Sequence, residues 1–218
     1  MFLAALLVSL TDNTLTKQEI NEGWTLLFDG ATSAGWHNFK KTTVASGWKV
    51  VEGALTVVEP EKAGDICTDK KFEWFELKID FKLEPGQNSG IMFHVADSGE
   101  ATWHSGPEIQ IYDHPIQDGV ETTGFLYQLY KSEADASKPA GQWNHFDILV
   151  SKETCWTKLN GVKCYEYQLG SEDFWARVAK SKFAEHPEFA KSNSGSIAIQ
   201  GDHGKVAFKN IKIRKAVD

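Results

Sequence analysis

The chain is poor in cysteine, has no basic excess and contains no long apolar run. Its 218 residues include 3 cysteines, whose spacing fits no metal-binding motif and whose number is odd. With 23 Lys and Arg against 30 Asp and Glu, the net charge is −7, which argues against a nucleic-acid partner. No apolar run is long enough to span a bilayer. No linker rich in proline or serine divides residues 21–218, which predicts a single domain there.

Two of the cysteines are predicted to lie close together in a hairpin. The pair Asn160-Gly161 predicts a two-residue turn, which would place Thr157 opposite Cys164. Cys155 would then lie diagonal to Cys164 on the same face. A disulfide between them is geometrically demanding, so free, buried thiols are the better prediction.

Residues 2–10 form a short apolar segment that is typical of the core of a secretion signal. No Lys or Arg precedes this segment, and no Ala-x-Ala cleavage site follows it. We interpret residues 1–20 as a remnant of a signal peptide and an N-terminal segment, which predicts a secreted or periplasmic protein. The alternative is a short strand or helix that packs on the domain.

Alternating polar and apolar residues predict strands along most of the chain. The longest alternation runs from Phe75 to Leu83, with apolar side chains on one face and charges on the other. In the last strand the apolar parity changes, which predicts a β-bulge near Asn210. An N-cap at Ser171, followed by apolar residues at helical spacing, predicts one short helix, so the fold is an all-β sandwich of the jelly-roll type. The other strands are predicted within residues 48–58, 90–95, 108–112, 124–130, 145–151, 154–167, 196–200 and 205–214.

The strand from Glu108 to Tyr112 has the strongest indication of chemistry. Ile109 and Ile111 alternate with Glu108, Gln110 and Tyr112, so a carboxylate, an amide and a phenol share the face opposite the core. Solvated strand faces more commonly carry lysine, threonine and scattered charge. The alternative is an ordinary polar sheet surface without function.

Neighbouring strands are predicted to add polar residues to this face. In the strand from residue 90 to 95 the odd-numbered side chains are predicted to point inward, which leaves His94 on the outer face with Gly90. Small residues there would leave room for a ligand. A lone histidine on a strand is more commonly structural than catalytic. The residues that converge if these strands are neighbours are His94, Glu108, Gln110, Gln200 and His203.

A tryptophan and a histidine lie together in the loop that leads into this strand. A sugar ring can stack its apolar face on an aromatic side chain such as Trp103, while its hydroxyls bind polar partners such as His104. The alternative for Trp103 is a loop anchor that packs at the rim of the core.

An ordered series of motifs runs from residue 23 to residue 214. The motifs are Gly23-Trp24-Thr25-Leu26-Leu27-Phe28-Asp29-Gly30, Gly35-Trp36, Asn88-Ser89-Gly90-Ile91, Glu108-Ile109-Gln110-Ile111-Tyr112-Asp113, Thr123-Gly124-Phe125-Leu126-Tyr127, Gly141-Gln142-Trp143-Asn144, Leu159-Asn160-Gly161-Val162, Ser181-Lys182-Phe183, Ile199 to Gly204 and Lys209 to Arg214. With them the chain resembles the 3-keto-disaccharide hydrolase domain family. The resemblance implies a concanavalin A-like lectin/glucanase sandwich, in a family that is frequent among exported bacterial proteins. Many members have Arg at the position of His94 and Glu at that of Gln142, and lack Gly201, which leaves the substrate subgroup open.

The resemblance implies activity on glycosides that are oxidised at C3 of the sugar. A C3 ketone acidifies the hydrogen on C2, so a base can remove it, the enolate can expel the aglycone from C1, and water can add back. Glu108 or His94 is the expected base, and His203 the expected acid or enolate partner. The residues expected to bind substrate are Asn88, Trp103, His104, Gln110, Asp113, Lys182 and Gln200.

A bound metal ion and a partner enzyme are further expectations. His94, Glu108 and His203 could ligate a divalent cation that polarises the ketone. A structural calcium elsewhere, as in related sandwiches, is a further alternative. The family resemblance also implies an upstream sugar 3-dehydrogenase that forms the ketone.

Two other functions stay open. The strand from Glu108 to Asp113 also resembles the Glu-x-Asp-x-x-Glu strand of retaining glucanases, in which two carboxylates about 5–5.5 Å apart perform double displacement. Gln110 replaces the middle carboxylate here, and Glu108 and Asp113 would need a bulge to share a face. The other function is that of a non-catalytic carbohydrate-binding module, which predicts glycan binding without turnover.

Overall fold

A computed structural model describes residues 12–113 and 122–217, which form two antiparallel β-sheets packed face to face. The larger sheet has 8 strands and the smaller has 5. The predicted all-β sandwich is therefore confirmed. The predicted secretion segment at residues 2–10 lies outside the described residues. No helix in the described part of the chain is long and apolar enough to cross a membrane.

The larger sheet contains the two longest described strands, one of which is the C-terminal strand. Its strands are β1 (Thr25–Leu26), β3 (Trp48–Val51), β4 (Ala54–Val57), β6 (Phe75–Leu83), β9 (Asn144–Val150), β10 (Cys155–Leu159), β11 (Val162–Tyr167) and β13 (Val206–Lys215). Their order across the sheet is β11-β10-β9-β6-β13-β4-β3, with β1 beside β13. The order places β6 and β13 at the centre because their alternating patterns bury one face completely.

The smaller sheet carries the predicted polar face. Its strands are β2 (Trp36–Asn38), β5 (Ile66–Thr68), β7 (Asn88–Val95), β8 (Glu108–Tyr112) and β12 (Ser196–Ile199). They lie in the order β2-β5-β12-β7-β8, so β7 and β12 are central neighbours. The strand predicted at 124–130 does not form. Turns with isolated bridges replace it, and their backbone groups bond the free edge of β8, as in the bond from Tyr127 N to Glu108 O at 2.8 Å.

The core fills the space between the two sheets. Side chains from β6 and β9 of the larger sheet meet side chains from β7, β8 and β12 of the smaller one. Phe81 and Phe146 stack with ring centroids 4.8 Å apart, and both are fully buried. Burying a side chain of this size contributes about 2 kcal/mol of transfer free energy.

Two local predictions from the sequence can be compared directly with the strands. The bulge near Asn210 is confirmed, since the pairing of β13 with β6 shifts between Lys209 and Lys212. The hairpin turn at Asn160-Gly161 also forms, but a bulge on β11 places Tyr165, and not Cys164, opposite Thr157. The 3 cysteines are free and buried, as predicted.

Helical segments are short. α1 (Lys17–Asn21) begins with a capping box and was not predicted, whereas α2 (Glu172–Val178) is the predicted helix with Ser171 as its N-cap. Single 3-10 turns cover Pro60–Lys62, Thr102–His104 and Lys182–Glu185. The last two of these turns lie next to the site described below.

Candidate active site

Glu108 lies on the outer face of the smaller sheet with its carboxyl placed over Gly90. β8 pairs with β7 so that Glu108 is opposite Met92 and Gln110 is opposite Gly90. A Cβ atom at position 90 would lie 2.1 Å from Glu108 Oε1, so only glycine leaves room for the carboxyl here. The small residue here was expected to leave room for a ligand, but the space over Gly90 is filled by the Glu108 carboxyl, and Glu108 is 6% exposed.

Apolar side chains form the rest of this outer face. Cys67, Met92, Val95 and Ala198 make a small buried cluster, and Trp103 packs against it. Because the outer face is apolar and covered, Glu108 is removed from water on a surface that would otherwise be solvated. The Glu108 carboxyl therefore lies in a partly dry site beside the sheet.

Burial raises the pKa of Glu108 to about 7. Positive charges on Lys182 and His203 act in the opposite direction, and negative charges on Asp65 and Asp202 add to the effect of burial. These four charged groups therefore act directly on the Glu108 carboxyl. A carboxyl whose pKa lies near neutrality can accept a proton and release it again under ordinary conditions.

Asp65 is a member of the site that the sequence did not indicate. It precedes β5, accepts a hydrogen bond from Thr102 Oγ1, and accepts another from Gly201 N at 3.3 Å. Burial raises its pKa. No local pattern in the sequence marks this residue, since only the pairing of β5 with β12 brings it to the loop that follows Ile199.

His203 and Asp202 form an ion pair in the loop that follows β12. His203 Nδ1 lies 2.5 Å from Asp202 Oδ1, and both side chains are about half exposed. The hydrogen bond with Asp202 raises the pKa of His203, and the charges of Asp65 and Glu108 add to this. The charges of His203 and Glu108 thus act on each other, and the charged form of His203 is favoured.

Gln200 and Gln110 add amide groups close to Glu108. Gln200 N donates to Gly90 O at 3.0 Å, and the buried Gln200 Oε1 has no hydrogen-bond partner in the described part of the chain. An unpaired buried oxygen of this kind calls for a hydrogen-bond donor that the described residues do not supply. Gln110 is 3% exposed, and its Oε1 accepts from Ile111 N at 3.1 Å.

Lys182 lies over aromatic rings beside the site. Its Nζ lies 4.3 Å from the centroid of the Trp103 ring and 4.6 Å from that of Tyr127. Trp103 also packs against the core and the outer cluster. These contacts favour the loop-anchor interpretation of Trp103, because Lys182 covers one face of the ring.

The predicted position of His94 on the outer face is wrong. His94 has a positive φ of 54°, and the pairing of β7 with β12 shifts beside it between Ser196 and Ala198. This bulge turns Val95 outward and places the His94 ring against Trp74 and Phe75, with Nε2 2.6 Å from Glu73 O. The ring is 1% exposed, and burial lowers its pKa. We therefore remove His94 from the candidate bases and metal ligands.

Asp113 and Asn88 lie at the far end of the same two strands. Asn88 pairs with Tyr112, and each lies four residues from the pair of Met92 and Glu108, about 13 Å along the strand at 3.3 Å per residue. The Asp113 carboxylate accepts from Gly86 N at 2.8 Å and so closes a turn. This geometry does not support the alternative in which Glu108 and Asp113 act as two glucanase carboxylates, because that mechanism needs about 5–5.5 Å.

The predicted metal ligands do not come together as a set. Within residues 12–113 and 122–217, the cluster of possible metal ligands is formed by His104, His186 and Glu188. His104 therefore belongs to this second cluster, behind Trp103, with its ring centroid 4.3 Å from that of Trp103.

Comparisons with known proteins agree with this fold. A curated relative from Bacteroides thetaiotaomicron, named 3-keto-disaccharide hydrolase, is 29% identical over 229 residues, which cover 88% of this chain and 78% of the relative. A crystal structure from Parabacteroides distasonis, described provisionally as a glycosyl hydrolase, is 34% identical with a TM-score of 0.86, over 94% of this chain and 100% of that one. A carbohydrate-binding module from Bacillus subtilis, with 10% identity and a TM-score of 0.52 over 83% of this chain and 96% of that one, shares the fold alone.

The prediction of an enzyme of the glycoside-hydrolase kind is confirmed by these comparisons. The family model described as "3-keto-alpha-glucoside-1,2-lyase-like domain" matches residues 23–214, which is most of the chain. By this match the chain belongs to the 3-keto-alpha-glucoside-1,2-lyase-like domain family.

Proposed function

We propose that the protein cleaves glycosides oxidised at C3 of the sugar, with Glu108 as the general base that removes the C2 proton. The observation that carries this proposal is the buried Glu108 carboxyl, whose pKa of about 7 fits a base that works near neutral pH. The name of the Bacteroides relative supports the substrate class.

The reaction needs one base, one acid and positive charge near the ketone. Glu108 takes the C2 proton, the electron pair of the C2–H bond forms the enolate, and the enolate breaks the bond from C1 to the leaving oxygen. His203 donates a proton to that oxygen. Water then adds across the C1–C2 double bond, its hydroxyl to C1, while Glu108 returns a proton to C2 and His203 regains one from the water.

Two cations suit the negative charge that develops on the enolate. Lys182 and His203 both lower the pKa of Glu108, which means that their charges act at its carboxyl. Preorganised charge of this kind commonly provides the largest single contribution to stabilising an anionic transition state. The unpaired Gln200 Oε1 is placed to accept from a sugar hydroxyl, and Gln110 lies beside it.

The proposed substrate implies an upstream enzyme that forms it, and the proposal also includes a cellular location for the protein. A 3-keto-glycoside forms when a dehydrogenase oxidises the C3 hydroxyl, so an upstream sugar 3-dehydrogenase is part of the proposal. Export to the periplasm or the medium is also part of it, on the apolar residues 2–10.

The experiment compares a 3-keto-glucoside with the unoxidised glucoside and follows release of the aglycone. The wild-type protein should cleave only the ketone, with slower turnover when C2 carries deuterium. E108Q should lose at least about a hundred-fold in kcat, the usual contribution of a general base. D113N is the matched control, since Asp113 directly follows the same strand but bonds the Gly86 turn, and it should stay active. Full turnover by E108Q removes Glu108 from the mechanism, and glycan binding without turnover indicates a binding module.

A further inference from the structure

Behind Trp103 lies a second group of polar side chains that the proposed reaction does not use. His104, His186 and Glu188 each offer one ligand atom, and these atoms all lie within 4.8 Å of one another. We propose that these three side chains bind a divalent transition-metal ion, with zinc as the ion of best fit. This site is separate from Glu108 and does not depend on the proposed activity.

The distances are close to those of an occupied site. His104 Nδ1 lies 3.7 Å from Glu188 Oε1, and the imidazole centroids of His104 and His186 lie 4.0 Å apart. Two ligand atoms on a tetrahedral zinc ion, at about 2.0–2.1 Å each, are about 3.4 Å apart. Small side-chain rotations therefore suffice to close the site around an ion.

The same distances disfavour a purely structural explanation for the cluster. At 3.7 Å, the contact between His104 and Glu188 is too long for a hydrogen bond. The bond from Glu100 N to His104 Nδ1 is also long, at 3.4 Å. The three groups are thus gathered without strong bonds among themselves, which leaves their ligand atoms available.

The backbone fixes the two loops that supply the ligands. Ala190 N donates to Ser105 O at 2.9 Å, which joins the loop of Glu188 to the turn of His104. Phe183 and Phe189 stack with centroids 4.0 Å apart and planes 9° apart, on either side of His186 in sequence. Because the loops are held in this way, little conformational entropy is lost when an ion binds.

The donor set selects the class of ion. Two imidazoles and one carboxylate suit zinc and other late first-row metals, whereas calcium and magnesium prefer oxygen ligands alone. All three residues are half-buried, with 17% of the His104 side chain and 26% of the Glu188 side chain exposed. An ion can therefore enter from solvent and keep water as its fourth ligand.

The position of the site suggests what the ion does for the protein. The ring of Trp103 contacts both histidines, at 4.3 Å from His104 and 4.8 Å from His186. Lys182 lies over the same tryptophan ring. A bound ion would therefore hold the Trp103 ring in place on the outer face of the sheet that carries Glu108.

The test measures metal binding by the full chain after treatment with a chelator. Calorimetric titration with Zn²⁺ should show one ion per chain, and Co²⁺ should give the visible absorption of a four-coordinate site. H104Q, H186A and E188Q should each weaken Zn²⁺ binding by at least about ten-fold, in the range known for changes around metal sites. H37A is the matched control, since His37 also lies beside a carboxylate, 2.7 Å from Asp69, and should leave binding unchanged.

Circular dichroism of each variant separates loss of the site from loss of the fold. The proposal is overturned if the wild-type chain binds no Zn²⁺, a result that does not depend on any variant folding. It is also overturned if folded H186A and E188Q bind as tightly as the wild type, or if H203A and E108Q abolish binding instead. None of these outcomes depends on turnover of a sugar.

Discussion

Replacing Glu108 with Gln is expected to stabilise the protein at neutral and alkaline pH and to leave its stability in acid unchanged. Burial raises the pKa of this carboxyl from 4.5 to about 7. In the unfolded chain the group regains its ordinary pKa, so between these two values the folded state binds more protons than the unfolded state. The free energy of unfolding of the wild type therefore falls as the pH rises through this window.

The size of this stability difference follows from the pKa shift of Glu108. Each unit of pKa corresponds to about 1.4 kcal/mol, so the ionised Glu108 costs about 3 kcal/mol of folding free energy above neutral pH. Gln has the shape of the protonated acid and never ionises. We expect E108Q to exceed the wild type by about 3 kcal/mol near pH 8 and to equal it near pH 4.

Urea unfolding followed by tryptophan fluorescence measures both proteins across this pH range. E166Q is the control for the loss of one negative charge, since Glu166 is exposed on β11 and pairs with Lys163. A difference between E108Q and wild type that stays constant with pH would show that Glu108 ionises alike in both states. Such a result would refute the raised pKa, and the proposed base would lose its physical support.

Three further predictions test the surroundings of Glu108 and the larger sheet. G90A should lower kcat/KM strongly, because the new Cβ would lie 2.1 Å from Glu108 Oε1 and displace the carboxyl. Added to E108Q, the same substitution should cause no further loss of kcat/KM. Steady-state kinetics with a 3-keto-glucoside measure both effects. K182M should move the acid limb of the pH profile to higher pH, because Lys182 lowers the pKa of Glu108, whereas K180M should leave it unchanged. Burial opposes the charge on His145, but hydrogen bonds with Asp147 and Asp80 outweigh it and raise its pKa to about 9. The charged His145 therefore stabilises the fold fully below about pH 6.5, and this contribution is lost as the pH rises through about 9. H145Q should lower the free energy of unfolding by about 1 kcal/mol near neutral pH, after allowance for solvent screening, as measured by urea unfolding.

Strands and turns with strong local patterns could be predicted from the sequence. The alternation from Phe75 to Leu83 identified β6 with its bounds, and the parity change located the bulge beside Asn210. The outward face of β8, with Glu108 and Gln110, followed from the same periodicity. These features depend on the side-chain period of a single strand, which is a local property.

Features that depend on pairing between distant strands could not be predicted. The bulge at His94 arises where β7 meets the chain around Gly195, whose Cβ would lie 2.3 Å from the His94 carbonyl carbon. The alternation of residues within β7 does not reveal this contact. The sequence pattern therefore assigns residues 94 and 95 to the faces of the sheet opposite to those that they occupy. Asp65 was missed for the same reason, since it reaches the site only through the pairing of β5 with β12.

Three carboxyls in the described part of the chain respond differently to removal from water, and the difference supports a functional role for Glu108. Burial opposes ionisation of Glu19, but hydrogen bonds with Lys212 and Thr16 outweigh it and lower its pKa to about 2, so that group stabilises the fold at neutral pH. Burial raises the pKa of Glu108 and Asp65 instead. A carboxyl that weakens the fold by about 3 kcal/mol when ionised is not explained by stability. Such residues are concentrated at functional sites, and here the charges of Asp65, His203 and Lys182 all act on Glu108.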